Sequence, residues 1–469
     1  MSVTAKRVKV YPRSVKGKFR TIRWAVDAVL LGVYFALPWI KIDGRPALLL
    51  DIPGRKFYIF NTVFWPQEAI YLAFLLLFLA IALFLFTAVA GRLWCGYACP
   101  QTVFTDVFIA IERLIEGDRR ERMELDRSGW TARKVAEKAL LHSAWLLFSF
   151  ATAFTFVAYF VPPEVLIDRM ASGTLTTANI FWLSFFTLTT YGDCGFFREI
   201  MCLVPCPYGR FQSALFDADT LIIGYDRRRG EPRGPVKKGG HPAAQGDCID
   251  CTLCVQVCPT GIDIRKGLQY ECIACAQCID ACNAVMRKVG KPGGLIRYGS
   301  MRTIAGGRTS LLRPRVVVYA AILLVLFGAM SYKVATRVPL DLDILRDRTS
   351  LYRTTRDGRI SNLYTIKAIN RDTRARDLRI KVTGIKAGIV TGANPIHVEA
   401  GEVYQTSLVL IADRDALAGR INRFDFVIED VEDPDLSARR ESTFYLPDRP
   451  RREGKRAAGK DATLAMTSP

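Results

Sequence analysis

Long uncharged stretches alternate with strongly basic ones along this chain, and that contrast gives its first organisation. Ala69 to Ala90 runs for 22 residues without a charge, enough helix to cross a hydrocarbon core of about 30 Å. Ala139 to Val161 is 23 residues whose one ionisable group is His142, and Val316 to Tyr332 adds a block of 17. Trp24 to Ile40 is apolar apart from Asp27. Ala171 to Gly192 is uncharged but rich in Ser and Thr, a composition suited to packing against other helices rather than lipid. Any one block could be a buried core helix; three strong ones in one chain argue for membrane spans, five when the two weaker blocks are counted. Beyond the last block the period changes. Tyr364–Ile369, Leu378–Val382 and Phe424–Ile428 alternate apolar and polar residues between Gly, Asn and Asp turns, the pattern of half-buried strands. Residues 340–448 therefore predict an immunoglobulin-like β-sandwich, without a disulfide because residues 283–469 hold no cysteine.

Charge orients these pieces. Residues 1–23 carry eight Lys or Arg and no acid, whereas the 162–177 loop carries one, Arg169. The positive-inside rule places the N-terminus, the 91–138 loop and the segment after the fourth span in the cytoplasm, and the sandwich outside. No signal-peptidase site follows the first block, which reads as a retained anchor. The net charge of +20 needs no nucleic-acid partner, since much of it flanks spans where anionic lipid attracts it. The Arg227-Arg228-Arg229 run reads as a solvated or lipid-facing surface, and Asp27 as a carboxylate exposed near the cytoplasmic interface. The chain then divides into a basic N-terminus (1–23), a four-helix membrane domain (24–223) and a cytoplasmic domain with basic linkers (224–314). A fifth span (315–333), a periplasmic sandwich (340–448) and a disordered tail (449–469) follow.

The cysteines bring the chemistry. All thirteen lie between residues 95 and 282, on the expected cytoplasmic side, where thiols serve as metal ligands far more often than as disulfides. Eight form two runs, Cys248-x-x-Cys251-x-x-Cys254-x-x-x-Cys258-Pro259 and Cys272-x-x-Cys275-x-x-Cys278-x-x-x-Cys282-Asn283. This is the spacing of a bacterial two-cluster ferredoxin, in which three close thiolates hold one [4Fe–4S] cluster and the fourth crosses to the other. Cluster one would take Cys248, Cys251, Cys254 and Cys282; cluster two would take Cys272, Cys275, Cys278 and Cys258. Structural zinc is the alternative, although zinc usually pairs two short knuckles across a longer gap.

Four more cysteines form Cys95-Gly-Tyr-Ala-Cys99-Pro100 and Cys202-Leu-Val-Pro-Cys206-Pro207, each shortly after an expected span. An i, i+4 spacing sets two thiols on one helix face, with Pro205 disturbing the second. Together Cys95, Cys99, Cys202 and Cys206 could form a soft site for Cu(I), zinc or iron–sulfur; a structural thiol cluster, a redox disulfide or plain helix packing are the competing readings. Cys194 is as well explained by interior packing as by ligation. With three histidines in the chain, His142, His241 and His397, and one of them within the spans, this chain by itself does not provide a membrane haem held by two histidines. Neither a dinucleotide-binding glycine fingerprint nor a phosphate-binding Gly-Lys-Ser/Thr loop is present, so electrons come from another protein or a quinol.

Val10-Tyr-Pro-Arg13, Leu50-Asp-Ile-Pro-Gly-Arg-Lys-Phe57, Trp94-Cys-Gly-Tyr-Ala-Cys-Pro-Gln-Thr-Val103 and Cys206-Pro-Tyr-Gly-Arg-Phe-Gln212 resemble the FixG/RdxA/CcoG family over nearly the whole chain. The resemblance implies a multi-pass protein of the bacterial inner membrane that acts in assembly of cbb-type cytochrome c oxidase. It implies a cupric reductase, with Cys95, Cys99, Cys202 and Cys206 as copper or redox thiols and the eight ferredoxin cysteines as cluster ligands. Implied partners are copper ions, a cytoplasmic electron donor or quinol, a copper exporter or chaperone, and oxidase assembly factors; a homodimer is compatible with it. Pro205 stands where many relatives have a methionine thioether. Two other functions stay open: a quinol-linked electron-transfer subunit feeding a periplasmic reductase, and a non-enzymatic copper-binding assembly scaffold.

Overall fold

The computed structural model describes residues 9–447, apart from 43, 61, 66–67, 236–244, 348–349, 373, 391–393, 414, 416 and 418. The expected tail, His241 and part of the basic linker that precedes the cysteine runs lie outside the described residues. The chain forms two compact units, one up to Ala335 and one from Thr336.

In the first unit, four helices among the described residues are long and apolar enough to cross a membrane: Lys18–Trp39, Ala69–Ala90, Ala132–Ala158 and Pro314–Ala335. Ala69–Ala90 and Pro314–Ala335 pack on each other. The Ser/Thr-rich stretch differs from expectation. Residues 171–176 end a separate helix, Pro163–Ala171, and turn into Thr177–Gly192, whose start is capped by the Thr176 side chain accepting from Asn179 N–H. Thr177–Gly192 packs on Ala132–Ala158, yet Ile180, Phe181, Trp182, Phe185 and Leu188 on it stay exposed. Its polar residues therefore do not shield it from the surroundings on every side. It runs on into one π-helical turn, Asp193–Phe197.

Asp27 also departs from expectation. It is 2% exposed and faces Asp106 of helix Pro100–Glu116 and the guanidinium of Arg23. Arg20 and Arg23 approach Asp106 at 2.7 and 3.1 Å, the compensation that buried carboxylates require.

The cysteine-rich insert is closed by strand Ile222–Tyr225 pairing antiparallel with Ile296–Gly299, so residues 224–225 belong to the domain rather than to a linker. The arginine run is solvated at Arg227 and Arg228, as expected, and its guanidinium groups also make hydrogen bonds. Arg227 donates to the Lys266 carbonyl, Arg228 to that of Ile304, and Arg229 to Asp247 and the Gly293 carbonyl. Helix Gln277–Lys288 docks on the first membrane helix: the Asp280 carboxylate accepts from Arg20 N–H at 2.8 Å and Phe19 N–H at 3.3 Å. It thereby supplies the N-terminal cap that Gly17 cannot.

In the second unit two antiparallel sheets share one core. One has strand order Gly388–Val390, Val403–Ala412, Ile360–Asn370, Leu340–Arg346, with Arg353–Thr354 also paired to Ile360–Asn370. The other runs Ile396–Val398, Arg376–Thr383, Ile421–Asp430, Ser437–Tyr445. Alternating burial along Ile360–Asn370 and Ile421–Asp430 sends Tyr364, Ile366, Phe424, Phe426 and Ile428 inward, the sandwich that the two-residue period predicts. Phe426 is fully buried, 5.3 Å from the Tyr364 ring and 5.0 Å from Phe424. Phe426→Ala is expected to destabilise this unit by about 3–5 kcal/mol. Hydrogen exchange should show lost protection within residues 340–446, with that of residues 248–300 unchanged.

Candidate redox and thiolate site

The two cysteine runs fold into matched loops. In the first, Asp250 and Thr252 on either side of Cys251 have φ of 53° and 56°; in the second, Ala274 and Ala276 on either side of Cys275 have 54° and 59°. Four non-glycine residues in the left-handed region are costly. Their placement at equivalent positions curls each loop so that successive amides can line a concavity, a backbone form found around anionic iron–sulfur centres. Each loop ends in a helix, Leu253–Gln256 or Gln277–Lys288.

The loops enclose two cavities. One is lined by Cys248, Cys251, Cys254 and Cys282 with apolar neighbours such as Leu253, Val285 and Ile296. The other is lined by Cys258, Cys272, Cys275 and Cys278, with Cys254 at its border and Ile223, Ile262 and Ile264 around them. Among the described residues no three of these side chains close on a point where a single ion would sit. They stand around a space instead, which suits a polynuclear centre better than a zinc knuckle. Burial pushes the thiols of Cys254, Cys272 and Cys282 up to about 12, as apolar surroundings disfavour thiolate; a coordinated cation reverses that balance.

The two Cys-x-x-x-Cys-Pro motifs are not single helical faces. Each is a corner between two helices. Cys95 lies in Leu93–Tyr97 and Cys99 is the residue before Pro100–Glu116; Cys202 lies in Glu199–Leu203 and Cys206 precedes Pro207–Leu215. The proline after the second cysteine takes the first helical position, where a missing N–H costs nothing, so the motif itself writes the break. The corners meet. Gln212, fully buried, donates from Nε2 to Cys95 Sγ at 3.1 Å. Arg92 donates to the Gly209 carbonyl at 2.6 Å. Cys95, Cys99, Cys202 and Cys206 are close enough for each to feel the others' charge. Burial raises Cys95 to about 11, against the Gln212 hydrogen bond, and Cys202 to about 12. Here too no three close on a single-ion position. Cys194 is apart from them, packed with Phe108, Leu141 and Trp145.

The corners also abut the second cavity. A Cβ on Gly96 would lie 2.6 Å from the Ile273 carbonyl oxygen and 2.9 Å from the Ala274 carbonyl, so the backbone between Cys95 and Cys99 rests on the backbone between Cys272 and Cys275. Tyr298 donates to the Ala274 carbonyl at 2.6 Å and meets the Tyr97 hydroxyl at 3.3 Å, and Arg92 also donates to the Tyr270 carbonyl. Sequence reasoning missed Gly96, Arg92 and Gln212. The signal was there for two of them, a glycine directly after Cys95 and a glutamine six residues after Cys206.

The chain is similar to known iron–sulfur proteins over both of its cysteine-bearing regions. A family described as a 4Fe-4S dicluster domain matches residues 197–301, and one described as a 4Fe-4S binding domain matches residues 72–116. A third, described as the IG-like fold at the C-terminal of FixG, matches residues 330–447. Protein RdxB of Cereibacter sphaeroides is 40% identical over 90% of this chain and 93% of its own length. Protein RdxA of the same organism is 39% identical over 81% and 83%, and the nitrogen fixation protein FixG of Rhizobium meliloti 34% identical over 81% and 80%. The crystal structure of a FixG-related protein from Vibrio parahaemolyticus aligns at 30% identity over 23% of this chain and 95% of that one, with a TM-score of 0.21.

Proposed function

The chain belongs to the FixG/RdxA family of iron–sulfur proteins, and from that premise we propose that it is a membrane-bound cupric reductase supplying Cu(I) for assembly of a cbb-type cytochrome c oxidase. The observation that carries the reading is the backbone contact at Gly96, which sets the corner between Cys95 and Cys99 against the second cysteine loop. Cys248, Cys251, Cys254 and Cys282 would hold one [4Fe–4S] cluster, and Cys272, Cys275, Cys278 and Cys258 the other. Bound there, such clusters supply electrons one at a time.

The remaining chemistry belongs to the corner thiols and their substrate. Thiolate sulfur favours Cu(I) over Cu(II), so Cu(II) captured by Cys95, Cys99, Cys202 and Cys206 becomes easier to reduce. Thiols held protonated by burial release protons as the metal binds. Arg92 and Gln212 hold the two corners in register.

The orientation in this reading is a cytoplasmic N-terminus and ferredoxin domain in the bacterial inner membrane. Thr177–Gly192 with its π turn makes a helical path of about 30 Å, long enough to serve as the fifth span and put the sandwich in the periplasm. There it would dock an oxidase assembly factor or copper chaperone.

The test is anaerobic. Dithionite-reduced, desalted protein is mixed with Cu(II), and cluster bleaching is followed alongside Cu(I) capture by a chromogenic chelator. Matched oxidation and Cu(I) formation, lost in Cys95→Ala/Cys206→Ala with cluster absorbance intact, is the expected result. Clusters that stay reduced in the presence of copper would reject the reading.

A further inference from the structure

A cleft of about 390 Å³ opens beside the π turn, within the range of small-molecule sites, about 300–1,000 Å³. His142 and Trp145 line it from helix Ala132–Ala158, Phe196 from the turn, and Arg198 and Glu199 from the segment leading to Cys202. It sits where that helix passes from charged residues, Lys134, Glu137 and Lys138, to its apolar stretch, and Phe196 and Phe197 of the turn are exposed.

We propose that this cleft binds a quinol and that quinol is the protein's electron donor.

Three features select that ligand class. The walls are aromatic: the Phe196 ring lies 6.1 Å from His142 and nearly parallel to it, at 12°, with Trp145 edge-on at 5.3 Å. The cations of the cleft are already neutralised. Lys138 pairs with Glu116 and Asp126 at 2.7 Å, Lys9 with Asp126 at 2.7 Å, and Arg198 with Glu112. An anionic headgroup would meet no spare charge, and a neutral planar ring needs none. Two titratable groups remain for its protons. One His142 ring nitrogen shares a 3.0 Å hydrogen bond with the Tyr191 hydroxyl, and the other has no protein partner among the described residues. Glu199 makes no ion pair among them. The π turn and the left-handed Arg198, φ 37°, are the kind of strained backbone found at ligand sites.

The cleft also leads to the redox site. A smaller cavity shares Val10, Arg198 and Glu199 with it and is lined as well by Cys202, Pro259, Thr260 and Ile273. Gln101, two residues after Cys99, donates to Asp193 of the π turn at 3.0 Å and to the Arg198 carbonyl at 3.3 Å. Oxidation of one quinol to quinone releases two electrons and two protons. His142 takes one proton and Glu199 the other, and two Cu(II) ions, the terminal oxidant, become two Cu(I). That last clause rests on the cupric reductase reading; the site itself does not.

Full-length, cluster-loaded protein mixed anaerobically with decylubiquinol, without copper, should show cluster bleaching. His142→Gln and Glu199→Gln should each slow it about 100-fold, while cluster absorbance and dithionite-driven Cu(I) formation are retained. An azido-quinone should photolabel peptides containing residues 138–147 or 195–199, a readout that needs no turnover and decides the matter if a variant fails to assemble. No bleaching of the parent, equal rates in the variants, or labelling elsewhere would overturn the proposal. Quinol bleaching with no Cu(I) formed even from dithionite would instead remove the copper reading and leave this site standing.

Discussion

Gly96→Val is expected to leave both iron–sulfur signals in place and to cut Cu(I) formation about 100-fold, the scale on which a displacement near 1 Å acts on a reacting pair. The reason lies in what the side chain would meet. Its Cβ would fall 2.6 Å from a backbone oxygen at Ile273 and 2.9 Å from the Ala274 carbonyl, and backbone cannot swing aside as the tip of a flexible side chain can. Either the corner or the second cysteine loop must withdraw. The loop is fixed by its own cysteines and by Tyr298 on the Ala274 carbonyl, so the corner is the part that yields. The check is the anaerobic copper assay run beside EPR of the reduced protein. Unchanged Cu(I) formation would mean that the contact is packing alone.

Cys251→Ala and Cys275→Ala are expected to remove different clusters, because the two residues line different cavities. They should also differ in what else is lost. Cys251 is exposed, so its loss is expected to leave the rest of the domain standing and the second EPR signal intact. Cys275 is 7% exposed and near Arg23 and Asp106. Its loss opens the loop on which Gly96 rests, and the corner thiols should become reactive to alkylating reagents although none of them was altered. EPR with thiol-labelling mass spectrometry reads both effects. Survival of both signals in either variant would mean that the ligand sets are wrong.

What the sequence made legible follows from which interactions are local. Fixed spacing put Cys248 to Cys258 and Cys272 to Cys282 on two loops, and the alternation through Tyr364 and Phe424 marked the sandwich, because each pattern repeats within one element. The corners were half legible. An i, i+4 spacing suggested a shared helix face, but Pro100 and Pro207 start new helices and turn each motif into a bend. The burial of Asp27 was hidden because its partner Asp106 lies 79 positions away by subtraction of the two numbers. The small sheet of Leu48–Asp51, Lys56–Ile59 and Thr62–Phe64 was passed over although its turn is local, with Gly54 N–H donating to Asp51 at 2.9 Å. Its strands are too short for alternation to register. The arginine run is exposed at Arg227 and Arg228 as its charge suggests, but charge alone does not reveal the carbonyl partners at Lys266 and Ile304.

The Asp280 carboxylate on the first turn of the membrane helix, with Arg13 N–H bonded to the Gln256 carbonyl at 2.8 Å and Phe19 against Tyr298 at 5.3 Å, has a kinetic meaning. Many carrier domains travel on tethers and deliver their electrons after diffusing from one dock to another. This insert is bolted to the membrane part at both of its cysteine loops, so it is a stationary wire rather than a shuttle. Its turnover should accordingly be insensitive to solvent viscosity and to the length of the 231–247 segment, and electrons must be brought to it where it stands.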